Sequence, residues 1–337
     1  MSETSSNLNA ARIAAWAPGL AAAAAAALAA DAVARFTGAP AMLIALIIGM
    51  ALNPFTAPRP AFTPGLMLSA RTLLRWGIVL LGARVTVGEL ASLGLPTIAL
   101  AIGGVAITIA GGWAIGRALG LRSDYAALSA GAVAICGASA ALAFAAVLPR
   151  RDDSDRNTML TIIGVATLST VAMVAYPPIA IALGMDARTA GVFLGASIHD
   201  VAQVVGAGFM LSPDAAETAT IVKLTRVVCL APAVALVALF FRDGAREPSA
   251  RLKSPVPLFV LGFLAFVLIR SSGLIAEPVA AALTTASQWL LLISVVALGA
   301  KTSIKDILAP GPRPLIALTL QTLLIGAFAL GGVMLLF

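Results

Sequence analysis

The segment of residues 195–205 contains the side chains best suited to proton chemistry. His199 is the only histidine in the 337-residue chain, and Asp200 and Gln203 follow it within an otherwise apolar stretch. Imidazole titrates near physiological pH, with an unperturbed pKa of about 6.5, so His199 could carry a coupled proton. Gln203 lies one helical turn later and is expected to orient the ring, whereas Asp200 points off that face. We assign these three residues to a proton-coupling group. The alternative is a structural histidine that is hydrogen-bonded between helices.

A pair of basic residues, Lys223 and Arg226, follows in the next apolar segment. Their i, i+3 spacing places both on one helical face. The planar guanidinium of arginine matches the oxygen atoms of sulfate or a sulfonate. The pattern therefore predicts an anion-binding pair. The alternative is that the two side chains cap a loop or pair with Asp214 or Glu217.

Small residues occur in two Gly-Ala-Ser triplets, at 137–139 and 195–197. Such residues permit either close helix packing or an unwound point at which backbone N–H groups face a substrate. The amino end of a half-helix carries about half a positive charge and free N–H groups. We therefore add to the candidate substrate-binding set four residues in or beside the triplets: Cys136, Gly137, Ser139 and Ser197. Cys136 and Cys229 lack metal-ligand spacing, and no metal or cofactor is expected.

The composition places these groups in a membrane. Hydrophobic residues make up 60% of the chain and charged residues 11%, with a mean hydropathy of +1.01, whereas soluble domains have about 25% charged residues. Low aromatic content and the lack of alternating segments argue against a β-barrel, so each segment must satisfy its own backbone as a helix. The sequence predicts an all-α polytopic membrane protein with the lipid bilayer as a partner. The net charge of +7 is ascribed to basic residues that lie in cytoplasmic loops and near anionic lipid headgroups. No nucleic-acid partner is expected.

Eleven hydrophobic segments must position the candidate residues, and they predict about 10–11 transmembrane helices, since one or two are short for a span of about 20 residues. The segments are 12–30, 41–52, 66–85, 96–119, 125–148, 158–183, 189–211, 218–241, 258–269, 276–299 and 314–337. Residues 1–11 are predicted to form a disordered polar tail. Residues 12–337 are predicted to form a single transmembrane transporter domain, with a boundary between two halves in the charged linker 242–257. If the amino end is cytoplasmic and all eleven segments cross the membrane, the loop with Arg150, Arg151 and Arg156 lies outside the cytoplasm, against the positive-inside rule. A re-entrant segment would change that assignment.

Two self-similarities suggest internal repeats. Residues 81–86 resemble 298–303, and the Gly-Ala-Ser triplet occurs twice. Inverted repeats with interrupted helices that meet at mid-membrane are a frequent plan of transporters. We therefore predict inverted repeats with broken crossing helices.

Four motifs, at residues 81–84, 134–140, 195–205 and 223–226, resemble in order and spacing those of the YeiH-type family of bacterial inner-membrane proteins, which are described as sulfate exporters. The similarity covers nearly the whole chain. Family members commonly have Glu after the histidine, where this chain has Asp200, whose shorter stem changes any fixed distance. The family is similar to cation/proton antiporter and bile-acid symporter folds. This resemblance implies two inverted repeats with crossed broken helices and a multi-pass location in the inner membrane.

These observations predict a secondary transporter that exports a small inorganic or organic anion, such as sulfate, sulfite or a sulfonate, driven by protons or the membrane potential. The first alternative is a sodium-coupled organic-anion uptake transporter whose sodium site would draw on Asp200, Gln203 and Ser139. A passive channel is the second. An enzyme is not expected, because Ser197 and His199 point to different helical faces and no catalytic or metal motif is present. Faces rich in Ala and Gly would permit a homodimer.

Overall fold

The computed structural model describes residues 2–241, 258–301 and 312–337, without side chains for residues 2–13, 89, 90 and 92. Every regular element in these ranges is helical, as expected of a backbone whose N–H and C=O groups must hydrogen-bond to each other in lipid. The predicted half boundary at 242–257 lies outside the described residues.

The helices follow the hydrophobic segments closely. They are α1 (Ser2–Thr37), α2 (Ala41–Thr56), α3 (Thr63–Leu68), α4 (Leu74–Leu81), α5 (Val87–Ser92), α6 (Gly94–Ala118), α7 (Ser123–Ala134), α8 (Ala138–Val147), α9 (Ser154–Ala182), α10 (Ala187–Ser197), α11 (Val201–Leu211), α12 (Pro213–Val228), α13 (Leu230–Phe240), α14 (Leu258–Ser271), α15 (Glu277–Ala300) and α16 (Pro312–Leu336). A 3₁₀ turn at Pro60–Phe62 precedes α3, and a π-helical turn at Ser69–Leu73 joins α3 to α4. Six helical stretches of the described residues are long and apolar enough to cross a membrane, with α12 and α13 counted as the single stretch Pro213–Phe240. The predicted class, an all-α polytopic membrane protein, is confirmed.

Helix α1 begins at Ser2, and the disordered tail predicted over residues 1–11 stays a prediction. No proline or glycine precedes Pro18, so nothing in the local sequence stops the helix from continuing outward from its apolar part.

The chain divides into two compact units. The first contains Met1–Gly88 and Phe259–Ser303, and the second contains Glu89–Leu258 and Ile304–Phe337. In the first unit, glycines let helix backbones touch: Gly49 of α2 faces the backbone of Gly299 in α15, and the Asn53 Nδ2 donates to the Ala300 carbonyl over 2.8 Å. All candidate site residues lie in the second unit.

Helices α7 and α8 form hairpin 1 (123–147) rather than the continuous span predicted over 125–148. The Phe144 ring of α8 lies so close to Gly131 of α7 that a Cβ there would overlap it. At the open end, Asp124 at the start of α7 pairs with Arg151, which follows α8, over 3.3 Å. Both ends of the hairpin therefore lie on one side, and the chain turns back at Gly137, whose φ of +64° favours glycine.

Helices α10 and α11 form hairpin 2 (187–211), so the span predicted over 189–211 is also wrong. Gly191 of α10 packs against Ala215, and Gly208 of α11 packs against Ala216. Both contacts involve the first turn of α12, which places the two ends of this hairpin side by side. The apolar lengths of both segments matched a full span, and hydropathy alone does not distinguish a span from two half-helices of about 11 residues.

The hairpins enter the second unit from opposite ends of α9. Asp153 precedes α9 beside the base of hairpin 1, and Asp186 caps the start of hairpin 2 at the other end. At 29 residues, α9 extends about 44 Å, the thickness of a bilayer with its headgroups. Helix α16 is antiparallel to α6, because its Gly332 contacts Leu100 and its Gln321 donates to the Gly112 carbonyl. Since α6 ends beside the base of hairpin 1, where α9 begins, α16 runs in the same direction as α9. The two hairpin tips thus meet near the middle of these helices.

Candidate functional site

The turn of each hairpin is a short non-helical segment: tip 1 is residues 135–137 and tip 2 is residues 198–200. A half-helix that ends in the membrane leaves its last carbonyls without helical partners, and an unpaired polar group costs several kcal/mol in lipid. The two tips therefore need donors from elsewhere in the chain.

Arg226 of α12 supplies most of these donors. Its Nε donates to the Ala134 carbonyl over 3.1 Å, and its Nη1 donates to the carbonyls of Gly195 and Ile198, each over 2.9 Å. Its Nη2 donates to Ala134 over 2.7 Å and to Val133 over 3.3 Å. A guanidinium has five N–H donors, and all five are used on the carbonyl ends of α7 and α10.

Lys223 bridges the same two tips one turn earlier on α12. Its ammonium donates to the Ile135 carbonyl and, over 2.9 Å, to the Ile198 carbonyl. Lys223 and Arg226 are both 0% exposed. We call these two residues the cationic pair. Their charges lie at the negative ends of two helix dipoles, where a cation is stabilised.

Lys223 and Arg226 share a face, and both donate to carbonyls at or beside the two non-helical tips, which agrees with the alternative that they cap a loop. Their role as an anion-binding pair stays a prediction. They donate to backbone oxygens, and no described contact joins them to Asp214 or Glu217. Because every N–H of Arg226 already donates to a carbonyl, its guanidinium could bind an anion directly only if hydrogen bonds to the tips were broken.

His199 lies between tip 2, hairpin 1 and α16. Its Nδ1 is 3.1 Å from the Val133 carbonyl and its Nε2 is 3.0 Å from the Thr322 hydroxyl, and the ring is fully buried. The expectation that Gln203 orients this ring is wrong. The Gln203 Nε2 instead donates to the Thr170 hydroxyl of α9 over 2.7 Å, because α11 turns this face toward α9.

Asp200 caps the start of α11. Its carboxylate accepts the Ala202 N–H over 2.8 Å, and its own N–H donates to the Ser169 hydroxyl over 3.1 Å. A carboxylate at this position stabilises the positive end of the helix. The amino end of α11 is therefore already occupied by an anionic group of the chain itself.

The amino end of α8 is different. Its cap residue is Gly137, which has no side chain to accept from the first turn. Gly137 is buried, Cys136 is 7% exposed, and Ser139 is exposed. Ser197, the other serine predicted to bind substrate, is buried. Its hydroxyl donates to the Phe193 carbonyl within its own helix over 2.6 Å, so it is not available to a ligand in the way that Ser139 is. Of the two helix amino ends at the tips, that of α11 has a carboxylate cap and that of α8 has none.

Thr322 and the base of hairpin 1 were not among the residues predicted from the sequence. Thr322 and Gln321 form a polar pair inside the last apolar segment, a signal comparable to the histidine motif. At the base, Asp124 pairs with Arg122 over 2.8 Å. Burial raises the pKa of the Asp124 carboxyl, but hydrogen bonds from Arg122 and from the Tyr125 N–H outweigh it and leave this pKa below the usual 3.8.

Comparison with known proteins gives a family for this arrangement. Residues 18–318 match the family described as Conserved hypothetical protein 698. The chain belongs to this family. A UPF0324 membrane protein TauZ from Paracoccus pantotrophus is 46% identical over 95% of this chain and 95% of its own length. A second UPF0324 membrane protein, from Rhizobium meliloti (strain 1021), is 45% identical over 94% of this chain and 92% of its own.

Membership of the UPF0324 family confirms the resemblance to YeiH-type proteins and the multi-pass membrane location. A more distant relative, a UPF0324 membrane protein from Bordetella bronchiseptica, is 34% identical over 81% of this chain and 86% of its own length. No solved structure matches the chain significantly.

Proposed function

We propose that this UPF0324 protein is a secondary transporter that moves a small anion, a sulfur oxyanion or a sulfonate, across the membrane. The observation that carries the proposal is the junction of the two hairpin tips. There the buried cationic pair donates to the carbonyl ends of α7 and α10, and the amino end of α8 is left without a carboxylate cap.

An oxyanion cannot cross lipid without a region of positive potential at mid-membrane. Two buried cations supply that potential, since charges interact far more strongly at low dielectric than in water. The dipole of α8 adds to it, because the amino end of a helix carries about half a positive charge. Half-helix amino ends that point at anionic groups recur in transporters.

This geometry revises the roles predicted for the site residues. The N–H groups at the start of α8 and the Ser139 hydroxyl are the proposed ligands of the anion, and Gly137 allows its approach. The cationic pair acts on the anion through its field, while holding the tips together. His199, which contacts both hairpin 1 and α16, is the proposed carrier of a coupled proton.

A sodium-coupled organic-anion transporter is the second candidate, and one atom favours it. The Gln203 Oε1 is buried and lacks a hydrogen-bond partner among the described residues. An amide oxygen beside a carboxylate is a suitable ligand for a hard cation. Asp200 lies three residues before Gln203 and caps the same half-helix.

The test is the electrogenic response of the reconstituted protein on a supported membrane. Sulfate, sulfite, taurine and a carboxylate would each be applied with and without sodium. We expect a sodium-independent response to a sulfur oxyanion or sulfonate.

Two variants add the same bulk to α8 and locate the site. Ser139→Val removes the hydroxyl and narrows the amino end, so transport should fall at least tenfold, whereas Ala146→Val, at an exposed position two turns later, should transport normally. A response only to carboxylate with sodium would favour the symporter. Equal activity of both variants, or no response to any anion, would overturn the proposal.

A further inference from the structure

The Thr322 hydroxyl lies between two acceptors but has one hydrogen. Its Oγ1 is 2.8 Å from the Leu318 carbonyl and 3.0 Å from the His199 Nε2. A hydroxyl donates one hydrogen bond and can accept two. Thr322 can therefore donate to Leu318 or to His199, but not to both at once.

The other side of the ring fixes one proton. The Val133 carbonyl can only accept, so its partner, the His199 Nδ1, must carry hydrogen. In the neutral ring, the bare Nε2 accepts the Thr322 hydroxyl. In the charged ring, Nε2–H donates to the Thr322 oxygen, and the hydroxyl turns to the Leu318 carbonyl. Both states are satisfied with every heavy atom in the same place.

We propose that His199 and Thr322 form a proton-holding pair, in which rotation of one hydroxyl lets the ring gain or lose charge without displacement of the hairpin tips. Thr322 is then a positioning residue, because it acts through the imidazole. The link to anion transport rests on the function proposed above, whereas the two hydrogen-bond states do not.

The charged groups around the ring oppose each other. Lys223 and Arg226 of α12 disfavour a further positive charge, while Asp200 on tip 2 favours it. Tip 1 contributes the Cys136 thiol, whereas the neutral Gln321 of α16 donates to Gly112 and Ser129. An anion at the amino end of α8 would offset the cationic pair and so favour the charged ring. This arrangement couples proton uptake to arrival of the anion.

The experiment uses the full-length protein with ¹⁵N-labelled histidine, because a chain with one histidine gives a single pair of ring signals by nitrogen NMR. We expect one protonated nitrogen, Nδ1, near neutral pH and two in acid. Sulfate should increase the doubly protonated fraction at a fixed, mildly acidic pH. A neutral ring protonated at Nε2 would overturn the proposal, because Val133 could not pair with it.

Three variants of α16 separate the role of the hydroxyl from that of packing. Thr322→Val removes the partner of Nε2 and should reduce the doubly protonated fraction at least threefold at the same acidic pH, whereas Thr322→Ser should keep the wild-type spectrum. Thr319→Val makes the same chemical change one turn earlier and should have no effect. An unchanged spectrum of Thr322→Val would also overturn the proposal that His199 and Thr322 form a proton-holding pair.

Failure of the transport function gives a different pattern. The two ring states and the Thr322→Val effect would persist, but sulfate would leave the spectrum unchanged.

Discussion

Arg226 shows how a buried charge can serve the backbone. Four carbonyls at the ends of two half-helices converge on one guanidinium. The i, i+3 spacing with Lys223 predicted the shared face but not the partners. The carbonyls of residues 133–135 and 195–198 are main-chain atoms, and only the fold brings them to α12.

We expect Arg226→Met to destabilise the protein even when no anion is present. Each buried carbonyl that loses its donor costs about 1–3 kcal/mol, so the total should exceed about 3 kcal/mol. The measurement is the melting temperature in detergent, with Arg313→Met at an exposed site on α16 as the control. A variant as stable as the wild type, but unable to transport, would restore the predicted role of Arg226 as a direct ligand.

At the scale of elements, the decisive feature is that two apolar segments turn back halfway. Hydropathy located both segments and the small residues marked both breaks, which is why the sequence predicted interrupted helices. It did not predict re-entry, because that depends on contacts between the arms. The inverted repeat remains a prediction, although hairpin 1 with α9 and hairpin 2 with α12 enter from opposite ends.

Close packing inside hairpin 1 can be tested at Gly131. A methyl group there would overlap the Phe144 ring, so Gly131→Ala should destabilise the protein by about 1–3 kcal/mol. The smaller side chain of Phe144→Leu should restore part of that loss in the double variant. The measurement is thermal unfolding in detergent, and Gly331→Ala, where the structure shows open space, is the neutral control. Additive losses in the double variant would contradict contact between the arms.

The base of hairpin 1 should give an acid-sensitive contribution to stability. The pKa of Asp124 is lower when folded than its usual 3.8, so the stabilisation is present above that value and is lost as pH falls through the lowered pKa. Asp124→Asn should therefore melt below the wild type near about pH 7, and the two should converge as the pH falls below the lowered pKa of Asp124. Asp152→Asn, at an exposed site in the adjoining loop, should follow the wild type throughout. A constant gap between Asp124→Asn and wild type would exclude this ion pair as the cause.

At the scale of the whole molecule, the re-entrant hairpins remove the conflict between the positive-inside rule and the basic loop that follows hairpin 1. In the described part of the second unit, most arginines at helix ends lie on the side of the hairpin 1 base: Arg117, Arg122, Arg150, Arg151, Arg156 and Arg313. Arg188 lies at the base of hairpin 2. The difficult loop at 149–153 is thus on the same side as its basic neighbours, as the positive-inside rule requires.

We therefore predict that the base of hairpin 1 faces the cytoplasm. In a background lacking Cys136 and Cys229, a membrane-impermeant thiol reagent applied to intact cells should label Met185→Cys. Asp152→Cys should react only after the cells are opened. The reverse pattern would mean the opposite orientation, and labelling of both from outside would contradict the topology of the hairpins.

The formal charges at the junction of the two hairpin tips can be counted. With Lys223 and Arg226 positive and Asp200 negative, the tips carry one net positive charge while His199 is neutral, and two once the ring takes up a proton. A monoanion balances the first state, and a dianion such as sulfate balances the second. In the proposed transporter, an anion of either valence would leave the loaded junction electrically neutral, and the valence of the anion would set whether a proton travels with it.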